Sequence, residues 1–433
     1  MRTANSLQST GTILLLLGLT SAVRAQGTPT SEAQEAAIQD PSTECQPYNY
    51  EPVTQAQSSF PSIWAYAANI LSGDDAGLAK YVSFNASIPN IAPKGTLSGS
   101  TEGLDYPDSD PDCWWTASNC VTPKLSGLQP DVADVPEPKT VGYGFDDGPN
   151  CGHNVFYDYF AEQNQKATMF YIGSNVMSYP LEAQRAVADG HEICVHTWSH
   201  NYMTATSNEG AFAELWYTMQ AIKLVTGVTP TCWRPPFGDV DDRIRYIAAQ
   251  LGLETVIWKY DSNDWAEGSD GVTSADIQNN YDAFIAKANQ GAFDTVGAII
   301  LAHELNNFTM QIAIDNHPKL LAAFDHLVPV AVAQNKTTPY VETSYTMLTF
   351  SEYISGTTAT NGSVLTASAS KAAPTSSSAP ASSSSGASPA KSSESSNEQN
   401  NAESGALASA VTTGTVPLSL AIVVFARLAL LRL

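Results

Sequence analysis

From residue 139 to residue 335, short apolar runs alternate with longer amphipathic stretches, and that order leaves the chain few architectures. The runs at 141–145, 168–172, 192–195, 231–234, 255–258, 298–302 and 328–332 read as strands. The stretches 154–164, 181–189, 209–225, 240–251, 275–290 and 315–325 read as helices. Strands separated by helix-length crossovers pair in parallel, because a tight turn cannot return the chain to a parallel neighbour. Seven strands in about two hundred residues fit an α/β barrel, closed or incomplete. The polar motifs described below all follow these strands directly, at the face where barrels and open α/β sheets carry their sites.

The flanking segments read differently. Residues 26–138 scatter Pro, Ser, Asp and Gly with little periodicity, apart from 64–71, which reads as a short helix. This region is expected to be an irregular extension packed on the main domain and tied by cysteines. Residues 1–25 combine Arg2, an apolar stretch and Val23-Arg24-Ala25, the layout of a cleaved secretory signal. Residues 336–356 close the domain, and 357–404 form a Ser/Ala/Pro-rich stalk that cannot bury a core and is expected to be disordered. Small residues at 404–406, a polar spacer and the apolar tail 416–433 have the layout of a GPI-anchor signal, with 405–433 removed and Ser404 as attachment residue. That would place the protein in the secretory pathway and at the cell wall and outer plasma-membrane face, bound to the membrane through a lipid.

The net charge is −23, and removing both ends takes away four arginines and no acids, giving −27. Such a chain is a poor partner for nucleic acid or any anionic polymer and suits a neutral or cationic one. Nothing implies a protein partner. Six cysteines without a C-x-x-C pair, in a secreted chain, predict disulfides, with Cys113 and Cys120 able to close a small loop. Glycosylation acceptors stand at Asn85, Asn307, Asn335 and Asn361.

Five motifs carry chemistry. Phe145-Asp146-Asp147-Gly148-Pro149 ends a strand, and its adjacent carboxylates point different ways, so one is free for a metal and one for water. His196-Thr197-Trp198-Ser199-His200 sets two imidazoles at i and i+4, which share one face of a helical turn. With Asp147 they make a set that leaves coordination positions open, as catalytic sites do. In Arg234-Pro235-Pro236-Phe237-Gly238 two prolines stiffen a loop, Gly238 permits close backbone approach, and Arg234 is available to hold Asp146. Asp261-Ser262-Asn263-Asp264-Trp265 offers Asp264 to fix the tautomer and raise the basicity of His303, at the end of Ile299-Ile300-Leu301-Ala302-His303. Trp265 and Leu301 are expected to wall the site.

These five stretches resemble the polysaccharide deacetylase (NodB-homology) family of carbohydrate esterases over about 139–335. The resemblance implies a distorted (β/α) barrel with Asp146 as general base and Asp147, His196 and His200 as metal ligands. It further implies Arg234 orienting Asp146, His303 as general acid tuned by Asp264, and Trp265 with Leu301 cradling an acetyl methyl. Gly144 departs from the Thr or Ser usual in the family, and Phe237 from a common Tyr whose backbone N–H would serve the oxyanion equally well. Taken with the signal, stalk and tail, it implies metal-dependent removal of N-acetyl groups from cell-wall chitin, giving chitosan and acetate. Zinc is the first expectation for the metal, with cobalt or manganese compatible with the same ligands. The alternatives are a non-catalytic wall mannoprotein that binds polysaccharide and a deacetylase of another acetylated polysaccharide. A chitinase-like hydrolase would need two opposed carboxylates and no metal.

Overall fold

The computed structural model describes residues 28–356. The signal, Asn361, the stalk, Ser404 and the tail lie outside the described residues. Ten strands form two sheets: β1 (Asp134–Val135), β2 (Thr140–Gly142), β3 (Gly144–Gly148), β4 (Thr168–Tyr171), β5 (Glu192–Val195), β6 (Cys232–Trp233), β7 (Glu254–Thr255), β8 (Tyr260–Asp261), β9 (Gly297–Leu301) and β10 (His326–Val328). One sheet runs β3-β4-β5-β6-β7, all parallel. The other runs β1-β9-β2-β10 with β8 on β9, and only β1 is antiparallel.

The sheets join into a distorted barrel at two seams. Tyr143 N donates to Val328 O (2.8 Å) while Tyr143 O accepts from Thr168 N (2.9 Å), so the run read as one strand is two, handed from one sheet to the other. At the other seam Val132 bridges Val256 just before β1 enters the second sheet. The two-residue strands β1 and β8 are too short to show a period. The run at 328–332 is not one strand. Pro329 follows β10, and Val330–Ala333 form a helical turn whose first N–H groups bond Thr168 Oγ1 (2.7 Å) and Glu192 Oε2 (2.9 Å). Its valines are buried anyway, so their apolar run did not distinguish strand from helix. The helix read at 315–325 begins earlier, at Asn307, where Asn306 caps it reciprocally with Thr309.

Side chains alternate along the strands. Phe145, Met169, Ile193, Val195, Trp233, Ile300 and Ala302 pack outward in the larger apolar cluster with helix residues such as Phe156, Phe160 and Phe212. Phe170, Cys194, Cys232, Ile299 and Leu301 form a smaller cluster inside the barrel. The residues that follow the outward ones at the strand ends, Asp146, His196, Arg234 and His303, therefore turn to the barrel mouth.

Residues 28–138 hold short helices, among them Glu32–Glu35, Pro41–Glu44, Glu51–Ala56, Asp75–Val82 and Trp115–Ser118. No helix forms at 64–71. Trp64 has φ 62, and the N–H groups of Ala67, Ile70 and Leu71 bond Glu214 Oε1 (2.9 Å), Glu209 Oε1 (3.0 Å) and Tyr217 Oη (2.7 Å) of the helix Asn208–Thr226 instead of their own chain. Disulfides pair Cys45–Cys151, Cys113–Cys120 and Cys194–Cys232, which fits an oxidising compartment. The acceptors Asn85, Asn307 and Asn335 are exposed. Among the described residues no helix is long and apolar enough to cross a membrane.

Candidate active site

The C-terminal ends of β3, β5, β6 and β9 deliver four of the five motifs to one mouth, and the 3₁₀ turn Asp264–Ala266 after β8 supplies the fifth. The Cys194–Cys232 disulfide staples β5 to β6 beneath His196 and Arg234. Nε2 of His196 and of His200 lie 3.3 and 3.1 Å from Asp147 Oδ1, a buried oxygen with no hydrogen-bond partner. Their ligand atoms fall within 4.8 Å of one another. His196 Nδ1 is engaged by Arg234 O at 2.8 Å, which turns Nε2 toward Asp147. The two imidazoles hold Asp147 well below the ordinary carboxylate range although burial pushes it up. Two imidazole nitrogens and a lone carboxylate oxygen, converging without satisfying one another, fit a divalent cation. The second group of this kind, Glu192 with Cys194 and Cys232, is spent in the disulfide.

The His196–His200 segment is not the helical turn that its i, i+4 spacing suggested. Thr197 and His200 have φ 64 and 57, and the turn is held from outside by Glu214. That buried carboxylate accepts Trp198 N (2.9 Å), Ser199 N (2.9 Å) and Ser199 Oγ (2.6 Å). Asp147, Phe237 and Asn263 are also left-handed, at φ 73, 58 and 53. Five strained non-glycine residues in the motifs mark backbone held in place by its surroundings.

Asp146 faces the cluster from the other side. Arg234 Nη1 donates to its Oδ1 at 2.7 Å, and its Oδ2 lies 3.8 Å from His196 Nε2. Arg234 is fully buried, with its guanidinium 3.9 Å above the Phe170 ring. Across the mouth, His303 Nδ1 bonds Asp264 Oδ1 (2.6 Å), and Asp264 Oδ2 accepts His303 N (2.9 Å), fixing ring and backbone together. Burial opposes the imidazolium, but Asp264, then Asp147 and Asp146, push His303 up to about 10. A cation at Asp147 would offset part of that pull. Asp261 is pushed up to about 6, chiefly by burial. Phe237 is 45% exposed, stacks on Tyr202 at 4.1 Å and meets His200 edge-on at 4.7 Å. Trp265 is 44% exposed at the rim, whereas Leu301 is 4% exposed and lies in the inner cluster beside Phe170.

Sequence reasoning missed the supports. Asn175 Nδ2 holds Asp147 O (2.8 Å), and Glu304 takes Asn150 N (2.9 Å) and His153 Nδ1 (2.8 Å) behind the first motif. Asp239 accepts Thr204 N (2.7 Å), Trp114 Nε1 (2.8 Å) and Thr116 Oγ1 (2.6 Å) just after the third. A lone Glu214 between Ala213 and Leu215 on an apolar helix was the one readable signal of a buried carboxylate.

Residues 133–256 match the family described as Polysaccharide deacetylase, a span that holds the first three motifs and ends before Asp264 and His303. Chitin deacetylase 2 of Cryptococcus neoformans var. grubii is 53% identical over 334 residues, covering 76% of this chain and 73% of that one. The chitin deacetylase of Amylomyces rouxii is 43% identical over 330 residues, covering 75% and 78%. The solved chitin deacetylase of Colletotrichum lindemuthianum aligns at 21% identity over 48% of this chain and 92% of that one, with a TM-score of 0.42. The chain belongs to the polysaccharide deacetylase family, whose members depend on a divalent metal.

Proposed function

We propose that this protein is a chitin deacetylase, hydrolysing the N-acetyl group of N-acetylglucosamine units to acetate and a free amine. The observation that carries the reading is the Arg234-held carboxylate of Asp146 beside the Asp147–His196–His200 cluster, with the Asp264–His303 pair across the mouth. In this reading Asp147, His196 and His200 hold one divalent cation, zinc first and cobalt or manganese next. When bound, the cation supplies Lewis-acid polarisation of the acetamide oxygen and a more acidic water. Asp146 accepts the proton of the water that attacks the acetyl carbon, while Arg234 keeps its Oδ1 fixed. The Phe237 N–H serves the oxygen that gains charge, so the side chain there need not be Tyr. His303, cationic through Asp264, gives its Nε2 proton to the departing nitrogen as the C–N bond breaks. Trp265 and Leu301 take the acetyl methyl.

The same reading assigns 139–335 as the catalytic domain, with secretion and lipid attachment at Ser404 to the outer membrane face and wall. Acetate release from chitin oligomers by the secreted protein, with and without chelator and re-added zinc or cobalt, tests it. Chelator-sensitive acetate is expected, and Asp146→Asn should lose about 10²–10⁴-fold in turnover while keeping the metal. Sugar fragments without acetate, insensitive to chelator, would overturn it in favour of a glycoside hydrolase. Neither product, with polysaccharide still bound, would leave the wall-binding alternative.

A further inference from the structure

The segment 57–67 lies outside the family-matched residues, yet it abuts the turn that carries the two histidines. Phe60 stacks on Trp198 (5.9 Å, 12°), and Trp198 Nε1 donates to Ser62 O (3.1 Å). Trp64 N donates to Ser174 Oγ (2.9 Å), whose hydroxyl in turn bonds Trp198 O (2.6 Å). The next residue, Asn175, holds Asp147 O. Trp64 is thus fixed two bonded steps from the metal-ligand set.

Trp64 is 52% exposed and belongs to neither apolar cluster; no ring pair among the described residues includes it. Its backbone is left-handed, at φ 62, a conformation that costs a bulky residue of order 1–3 kcal/mol and that glycine would adopt freely. A large, half-exposed aromatic whose backbone is held against its own preference, on a segment bonded to the turn of the two histidines, is what a stacking surface needs. The residues just before it, among them Gln57, Ser58, Phe60, Ser62 and Ile63, line a cavity of about 230 Å³ together with Met177. That is below the roughly 300–1,000 Å³ of sites that enclose a whole drug-sized ligand, and its mix of apolar surface with an amide and a hydroxyl suits one ring of a longer molecule.

We propose that Trp64 and this cavity form a sugar-ring subsite, supplied by the N-terminal extension, for an N-acetylglucosamine unit of the polymer other than the one being deacetylated. The proposal rests on the deacetylase reading above. The C–H face of a pyranose meets the negative face of the indole, and the neighbouring part of the polymer reaches Gln57 and Ser58 in the cavity. A subsite remote from the reacting bond binds ground and transition states alike, so it lowers KM and leaves kcat nearly unchanged.

Trp64→Gly removes the ring and suits the backbone; Trp64→Phe keeps an aromatic face. Both are compared with the unaltered protein by calorimetric binding of chitin hexamer and by acetate release from hexamer and dimer. The glycine variant is expected to weaken hexamer binding and raise hexamer KM by about three- to tenfold, the range of an aromatic stacking contact. Its kcat and its dimer kinetics should stay put, and phenylalanine should recover most of the loss. Unchanged hexamer binding overturns the proposal. So does an equal loss on dimer and hexamer, which would mean that Trp64 only props the histidine turn, and so does failure of phenylalanine to recover binding. If the unaltered protein releases no acetate, the deacetylase reading fails, while the binding comparison still decides whether Trp64 holds a sugar.

Discussion

The barrel and the N-terminal extension are held by different physics. The strands β2 to β6 and β9 are buried along their whole length, and the barrel's stability comes from repeated backbone ladders and two apolar clusters. The extension has few ladders. It is fastened to the barrel by the Cys45–Cys151 disulfide, by Ala67 and Phe84 in the larger apolar cluster, and by polar bonds to buried groups: Lys94 Nζ to Asp241 Oδ2 (2.6 Å), Arg245 bidentate to Asp131 (2.8 and 2.7 Å), and Trp114 to Asp239. Its attachment points cluster behind the motifs. Asp239 follows the third, Glu214 holds the second, and a Cβ at Gly238 would strike the Trp115 ring. The barrel supplies the chemical groups, and the extension buttresses the loops that carry them.

The sharpest contrast should come from the mouth of the barrel. Asp264→Asn removes the carboxylate that raises His303, so kcat/KM is expected to fall about 10²–10⁴-fold and its alkaline limb to move to lower pH. A pH profile that keeps its alkaline limb would remove Asp264 from the role. On the extension side, Cys45 and Cys151 are 106 residues apart, and replacing both with Ser frees a loop whose closure is worth about 4–5 kcal/mol by chain entropy. Denaturant unfolding should register that loss, and limited proteolysis should cut the extension first. Simultaneous digestion of both regions would show that they unfold as one unit. Glu214→Gln joins the two regions. It keeps the shape but weakens bonds to the histidine turn and to Ala67, so metal affinity is expected to drop about 10–100-fold, measured by competition with a chelator.

The same difference decides what the sequence could tell. Strand ends, and with them Asp146, His196, Arg234 and His303, follow from short apolar runs that stop at a polar motif. The convergence of those residues was legible because their motifs fall at the ends of the strands, the face where such sheets carry their sites. The seam at Tyr143 was not, since a run that changes sheets looks like one strand. The false helix at 64–71 failed for a related reason. Its N–H groups bond side chains well over a hundred residues away, which no local pattern encodes. Trp64 itself carried no signal, because left-handed backbone at a tryptophan is imposed by Ser174 and Trp198 rather than by its neighbours in sequence.

The smallest effect is a pH dependence located at one seam between the regions. At the seam where the helices Glu32–Glu35 and Pro41–Glu44 meet the helix Pro180–Ala188, Glu44 and Glu182 are each pushed up to about 8, first by burial. Glu35 is raised there too, and Glu35 Oε2, Glu44 Oε2 and Glu182 Oε1 are buried without partners. Tyr48 donates to Glu182, while Arg185 and His153 face the same seam. In the unfolded chain these carboxyls release their protons near the ordinary 4.5, whereas the folded seam holds them to about 8. The folded state therefore binds more protons in that window, and its stability falls as pH rises from about 4.5 through 8 and then levels. In the barrel mouth Asp147 behaves oppositely, its depressed folded value giving a contribution present above the ordinary carboxylate range and lost as pH falls. His303, raised to about 10, gives one that is full below about 6.5 and lost as pH rises. Thermal unfolding of the metal-free protein should thus show a Tm several degrees lower at pH 8.5 than at pH 5.5, at roughly 2 °C per kcal/mol for a large domain. Glu182→Gln keeps a group that can accept from Tyr48 and cannot ionise, so it should flatten that slope, and the extension should become protease-sensitive at high pH only in the unaltered protein. A slope below about pH 6.5, where His303 contributes none, that survives both Glu182→Gln and Glu44→Gln would place its origin away from these carboxyls and erase the distinction at this seam.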